Sequence, residues 1–159
     1  GSSDLYEGGH RVPFVARWPG KVKAGATSEQ LVFLGDLYAT CAEMVGDRPP
    51  REAAEDSFSF LPAMTGRSSA ASRQSIVHHS SNGAFAIREG SWKLCLCPDS
   101  GGWSDPKPGQ VPANAPQVQL FDLAADRAEK TNLAATHADK VAELRDRLEA
   151  IRKAGRSAP

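Results

Sequence analysis

The sequence carries no excess of charge of either sign: 19 Lys and Arg balance 19 Asp and Glu over 159 residues. Without a basic surplus there is neither the electrostatic footprint of a nucleic-acid partner nor a polybasic patch for an anionic membrane. Long apolar runs are missing as well. The longest, such as LVFL and FVA, fall far short of the roughly 18 residues that signal a bilayer span. No basic stretch followed by an apolar one opens the chain, so no export signal is expected in it. Cysteine is scarce: Cys41, Cys95 and Cys97 make neither a disulfide framework nor a zinc set, which takes about four convergent ligands. Cys95 and Cys97 are two apart in a strand-like run, so they share a face and are poorly placed to bond each other. All three are read as small buried hydrophobes. There is no internal repeat and no low-complexity tract.

What is present is an ordinary globular composition, 40% hydrophobic and 24% charged, arranged in two stretches of different character. Val12–Trp18 is apolar and β-branched, with Pro13 near its start and Pro19-Gly20 after it, which predicts a strand. Following the polar loop GKVKAGATSEQ, the run QLVFLGD predicts a second short buried strand. Asp36 then offers an N-cap, Leu37, Cys41, Met44 and Val45 share a helical face, and Gly46 with Pro49-Pro50 stops the helix. Two strands and one helix cannot close a parallel sheet, which needs cover on both faces. The first third therefore reads as part of a larger α/β sheet, with apolar surface left for a partner to cover. SFLPAMTG predicts a helical turn ending at Gly66.

Beyond the polar linker GRSSAASRQ the pattern turns antiparallel. QSIVHHSS, AFAIREG and SWKLCLCP are short strands, the last two joined through Arg88-Glu89-Gly90-Ser91 as a hairpin over Ala84–Pro98. DSGGWSDPKPGQVPANAP holds three glycines and four prolines, too many for regular structure, and QVQLFDL brings back a strand. From Thr136, which can cap with Asp139, the residues Val141, Leu144, Leu148 and Ile151 form a helical stripe with Glu143 and Arg147 paired on the wet side. Gly155 ends that helix. The fold class is α+β: a small antiparallel sheet packed by a long C-terminal helix, preceded by the terminal strand-helix segment of a larger α/β domain. The boundary is expected between residues 1–66 and 67–159.

Several side chains could carry chemistry. In Glu7-Gly8-Gly9-His10-Arg11 the paired glycines permit a tight turn and a close approach, Glu7 can anchor the turn, and His10 or Arg11 can meet an anion; a loop bonded to itself explains the same residues. His78 and His79 are adjacent in a strand and so face opposite ways, which rules out a shared ion but lets His78 face a pocket. Trp103 gives a flat apolar platform for an aryl or sugar ring, or pins its loop to the sheet. Asp122, Asp126, Glu129 and Asn132 lack the spacing of a calcium loop and are read as turn and helix caps.

LYEGGHRVPFVARWPG resembles the segment that ends the catalytic domain of type I, formylglycine-dependent sulfatases of the alkaline-phosphatase-like superfamily. GDLYATCAEMVG, EDSFSFLPAMTG, AIREGSWKL and LFDLAADRAEKTNLA resemble, in order, the stretches that follow it there. The resemblance runs from Leu5 to the end. It implies a parent enzyme that hydrolyses sulfate esters of aryl or carbohydrate alcohols, with calcium and formylglycine as its cofactors and a periplasmic or secreted location. It also implies that His10 contributes to the substrate site and that the Gly101–Gly109 loop lies over the pocket entrance; the residue chemistry adds Trp103 and His78 as the other candidate substrate contacts. The family's sulfate-binding lysine would fall at about Ser2, where there is none. None of the cysteines sits in the Cys/Ser-x-Pro-x-Arg context of the nucleophile, and the family's paired calcium ligands are absent. The chain is therefore expected to hold no catalytic residue and no metal, to be inactive alone, and to take as partners the N-terminal catalytic domain or a second copy through dimerisation or swapping. A free-standing non-catalytic interaction module is the alternative, and a fragment of a related phosphate-ester hydrolase a third reading.

Overall fold

The computed structural model describes residues 3–50 and 52–158. The chain divides into two compact units, residues 3–13 with 75–149, and residues 14–74 with 150–158.

The first unit is built on a four-stranded antiparallel meander of β1 (Ser75–His79), β2 (Phe85–Glu89), β3 (Trp92–Cys95) and β4 (Gln119–Asp122), in sequential order. The expected hairpin is present, with Glu89 opposite Trp92 and the two-residue turn Gly90-Ser91 between them. Gly90 has φ +58°, a left-handed conformation that glycine adopts without steric cost. The register places Ala86 opposite Cys95, Arg88 opposite Lys93 and Lys93 opposite Phe121. Strand alternation then gives the sheet two distinct faces. One carries His78, Ala86, Arg88, Lys93, Cys95 and Phe121, and is covered by the N-terminal segment: Leu5, Ala86, Cys95, Cys97, Phe121 and Leu123 form one buried cluster with Tyr6 against it. The other carries Ile87, Leu94 and Leu120, all with no exposed surface. The helix α4 (Ala138–Ala154) contributes buried Leu144 and Leu148, and its Arg147 Nε lies 2.8 Å from Glu89 Oε2 on that second face. Arg147 thus reaches across to the sheet, while Glu143 bonds Lys140 at 2.5 Å.

Residues Glu7–His10 form a single helical turn, α1. In the second unit lie α2 (Asp36–Met44) and α3 (Leu61–Met64), the latter ending at Gly66 with φ +71° as the sequence indicates. Asp36 opens α2 as its first residue rather than as its N-cap, which is Gly35. Its fully buried carboxylate accepts the backbone N–H of Phe33 at 3.0 Å and of Phe58 at 2.9 Å, and is paired with Arg73. The Arg73 guanidinium lies 4.8 and 4.6 Å from the ring centres of Phe33 and Phe58, so the charge pair is closed over by aromatic faces.

Several expectations are corrected here. Val12–Trp18 and the LVFL run form no strand, because among the described residues no strand pairs with them to make a ladder. Their side chains are correspondingly open: Val15 is 90% exposed and Leu34 70%. The helical face of Leu37, Cys41, Met44 and Val45 is exposed as well, so Cys41 is not a buried hydrophobe, while Cys95 and Cys97 are. The residues of α2 that are buried are Asp36, Ala39 and Thr40.

Candidate functional site

The dipeptide Asp4-Leu5 gathers the site. Its residues lie on the face of the sheet that α4 leaves to the N-terminal segment, and both are buried. The Leu5 amide donates to Ser100 O at 2.9 Å, and Ser81 donates its amide to Ser3 O at 3.0 Å, so the segment is tied to two loops as it crosses the sheet. His10, at the end of α1, turns back so that its Nε2 meets the Asp4 carbonyl. His78, from β1, places Nε2 3.2 Å from the Leu5 carbonyl. The two imidazoles lie against each other with centroids 4.2 Å apart and planes tilted by 52°. A carbonyl oxygen only accepts, so each ring carries its proton on Nε2. Burial pushes both histidines toward the neutral form: His10 is lowered, and His78 falls to about 4 with His10 and Lys93 adding to the effect. His79, on the opposite face, is exposed and bonds the Ser80 carbonyl at 2.9 Å.

The Asp4 carboxylate holds the loop that carries Trp103. Oδ1 accepts the backbone N–H groups of Trp103 at 2.5 Å and Ser104 at 2.9 Å, and Oδ2 accepts the Ser104 hydroxyl at 2.6 Å. Burial alone would raise this carboxyl, but those donors from Ser104 and Trp103 outweigh it and keep Asp4 ionised well below the ordinary carboxylate range. Gly102 has no room for a side chain, since a Cβ there would collide with the Asp4 carboxylate and the Ser3 backbone. The three predicted substrate contacts, His10, His78 and Trp103, therefore converge on two consecutive residues. Trp103 itself is not pinned to the sheet; its side chain is 74% exposed. Arg11 is exposed.

Beneath α1 lies a charge cluster that the sequence reading did not identify. Lys93 has no exposed surface, and its Nζ sits 3.2 Å from Glu7 Oε1 and 2.7 Å from Glu129 Oε1. Arg88 Nη1 adds a contact of 3.0 Å to Glu7 Oε2. Glu129 also accepts the Glu7 amide at 2.6 Å, from a backbone in the left-handed region with φ +54°. Burial raises the Glu7 carboxyl, yet Lys93 and Arg88 prevail and hold it below its usual range. So Glu7 does anchor the turn, and Glu129 is not a local cap but the second carboxylate on Lys93. Asp122 and Asp126 do cap locally, Asp126 Oδ2 accepting the amides of Lys130 and Thr131 and Asp122 Oδ1 that of Ala124, whereas Asn132 Oδ1 accepts the nearby Ala134 amide and also that of Leu120 in β4.

This face can orient a ligand but does not neutralise one. The histidine pair is uncharged at neutral pH, and Lys93 and Arg88 are committed to carboxylates. Sulfate-ester cleavage demands compensation of charge on the sulfate oxygens. Among the described residues no group of three or more His, Cys, Asp or Glu side chains is placed to hold a metal ion. The Ser2 position, where the resemblance puts a lysine, lies outside the described residues.

No protein-family model matches the chain. An N-acetylgalactosamine-6-O-sulfatase of Bacteroides thetaiotaomicron is 35% identical over 156 residues, covering 96% of this chain and 29% of that protein. The N-acetylgalactosamine-6-sulfatase of Canis lupus familiaris is 30% identical over 109 residues, covering 69% of this chain and 20% of that protein. A solved structure described under the metabolism of multiple glycosaminoglycans by Bacteroides thetaiotaomicron superposes with a TM-score of 0.80 at 33% identity, covering 95% of this chain and 31% of that one. The chain thus spans less than a third of the length of these relatives. In sequence and in its α+β fold, it belongs to the sulfatases and corresponds to their C-terminal portion.

Proposed function

We propose that the chain shapes the substrate approach of a sulfatase acting on a carbohydrate sulfate, of the N-acetylgalactosamine 6-sulfate type, whose nucleophile and calcium are supplied by the rest of the enzyme. The observation that carries this reading is the convergence of His10, His78 and Trp103 on Asp4-Leu5, next to the position where the family lysine falls. The names of the relatives support the substrate class. In this reading residues 1–66 close the large α/β domain and residues 67–159 form the C-terminal subdomain. Phe14, Val15, Leu34, Tyr38 and Val45, exposed in the second unit, are the surface that the catalytic portion covers. Residues of this chain hold the sugar and exclude water. Attack on sulfur is left to the other part, and the chain by itself does not turn over.

The test is sulfate release from N-acetylgalactosamine 6-sulfate by a longer protein containing this chain. Asp4→Asn and His78→Ala are expected to raise KM several-fold while changing kcat less, the signature of lost substrate positioning. Unchanged KM in both variants would contradict the reading. Equal activity of the catalytic portion without this chain would favour an interaction module instead.

A further inference from the structure

We propose that Glu129 is a positioning residue for His10: from the turn after β4, its carboxylate holds the first residue of α1 in place and so sets the imidazole that this short turn presents beside His78. The inference rests on the reading of His10 as a substrate contact and adds to it a residue 122 positions from Glu7 in the chain.

The turn cannot hold itself. α1 is four residues, two of them glycine, whereas isolated helices below about 12–15 residues are marginal in water and glycine is among the poorest helix formers. None of its residues is buried, and Tyr6, its N-cap, makes no side-chain capping bond. What grips the turn is Glu7, by two groups at once. Glu129 Oε2 accepts the Glu7 amide at 2.6 Å, an N–H that the turn itself leaves without an acceptor. Lys93 Nζ, 2.7 Å from the other Glu129 oxygen, reaches the Glu7 carboxylate at 3.2 Å. The place and the direction of the turn are thereby both set. His10 stands three residues on, on the same face of the turn as Glu7, and there meets the Asp4 carbonyl and His78.

The backbone of Glu129 points to its side chain as the reason for the residue. Its φ of +54° is a left-handed conformation that glycine takes freely and other residues adopt only at a cost. The local turn closes without the carboxylate: the Glu129 amide donates to Asp126 O at 3.3 Å, and Asp126 Oδ2 accepts the next two amides. A residue serving conformation alone would be glycine. A glutamate with 4% of its side chain exposed bears the strain for contacts outside the turn, with Lys93 and the Glu7 amide. The charged groups about His10 are His78 from β1, Lys93 from β3, Glu7 on α1 with Arg88 of β2 behind it, and Glu129. Burial, the largest influence, and Lys93 disfavour the imidazolium, whereas the Asp4 carbonyl, Glu7 and Glu129 favour it.

The test follows the His10 and His78 ring protons of the 159-residue chain by NMR through a pH titration, with His79 on the opposite face as internal reference. Glu129→Gly relieves the backbone and removes the carboxylate. Contacts between the His10 and His78 rings should then be lost, and the His10 titration should rise toward the ordinary 6.5 as the ring escapes burial. Glu129→Gln keeps an oxygen for the Glu7 amide and loses only the charge, so the ring contacts should persist while His10 titrates lower still, with one carboxylate fewer to offset Lys93. Opposite shifts in the two variants are a result that a merely stabilising role would not give. Retained amide dispersion of the four strands shows that each variant folds. If Glu129→Gly does not fold, Glu129→Gln decides by the same readout, and an unmoved His10 there overturns the proposal. In a longer protein containing this chain, Glu129→Gly should raise KM for N-acetylgalactosamine 6-sulfate several-fold while changing kcat less. Retained ring contacts with an unmoved His10 titration in Glu129→Gly would overturn the proposal, as would a displaced His10 with unchanged KM. The NMR arm needs no substrate. If the unmutated longer protein releases no sulfate, the sulfatase reading falls, and the titration still decides whether Glu129 holds His10.

Discussion

Lys93 has no exposed surface and lies between Glu7 and Glu129, so its removal leaves the buried Glu129 carboxylate without its cation while Glu7 keeps Arg88. Lys93→Met should cost about 3–5 kcal/mol in urea unfolding; a loss near zero would show that water reaches the cluster. His78 supplies a second prediction. Its folded pKa of about 4 lies below the ordinary 6.5, so between those values the unfolded chain binds the proton more readily. Stability should fall as pH drops from 6.5 to about 4, by at most on the order of 3 kcal/mol, and His78→Gln should flatten that slope. Glu7, whose pKa is lowered, loses its contribution in the same direction as pH falls through its folded value. An unaltered slope in His78→Gln would assign the effect to such carboxylates. Part of this was legible: in SWKLCLC, alternation puts Lys93 on one face with Cys95 and Cys97, an odd place for a lysine. Its partners were not, because Glu7 and Glu129 are brought to it only by the folded sheet.

The loop carrying Trp103 depends on a glycine where almost no other residue fits. Gly102→Ala must push the loop off Ser3 and Asp4, and an overpacked contact of this kind costs typically 1–3 kcal/mol. The Trp103 and Ser104 amides, buried against Asp4 in the parent chain, should then exchange with solvent much faster. Unchanged protection would mean that the Asp4 cage is not what orders the loop. The hairpin, β4 and α4 could be read from local pattern alone, since each is set by period and turn residues close in sequence. Val12–Trp18 has the composition of a strand, but a strand also needs a neighbour, and composition cannot supply one. Likewise α2 shows an apolar stripe at helical spacing, yet Leu37, Met44 and Val45 are open while Asp36 and Thr40 are buried. An apolar stripe fixes the helical period but not which face is covered.

On the scale of the whole molecule, regular hydrogen-bonded order resides in the four-stranded sheet. Residues 14–18 have no ladder partner among the described residues, and their amides should exchange quickly beside those of β2 and β3. Strong protection there in a monomer would contradict the account of an uncovered α/β edge. The antiparallel sheet, by contrast, is enclosed on one face by Leu5 and Tyr6 and carries α4 tied to the other, and should unfold as one unit. The most direct test of the account is sulfate release measured on the purified 159-residue polypeptide alone, beside the longer protein that contains it. The account predicts release by the longer protein and none above buffer for the polypeptide; steady turnover by the polypeptide, free of contaminating hydrolase, would contradict it.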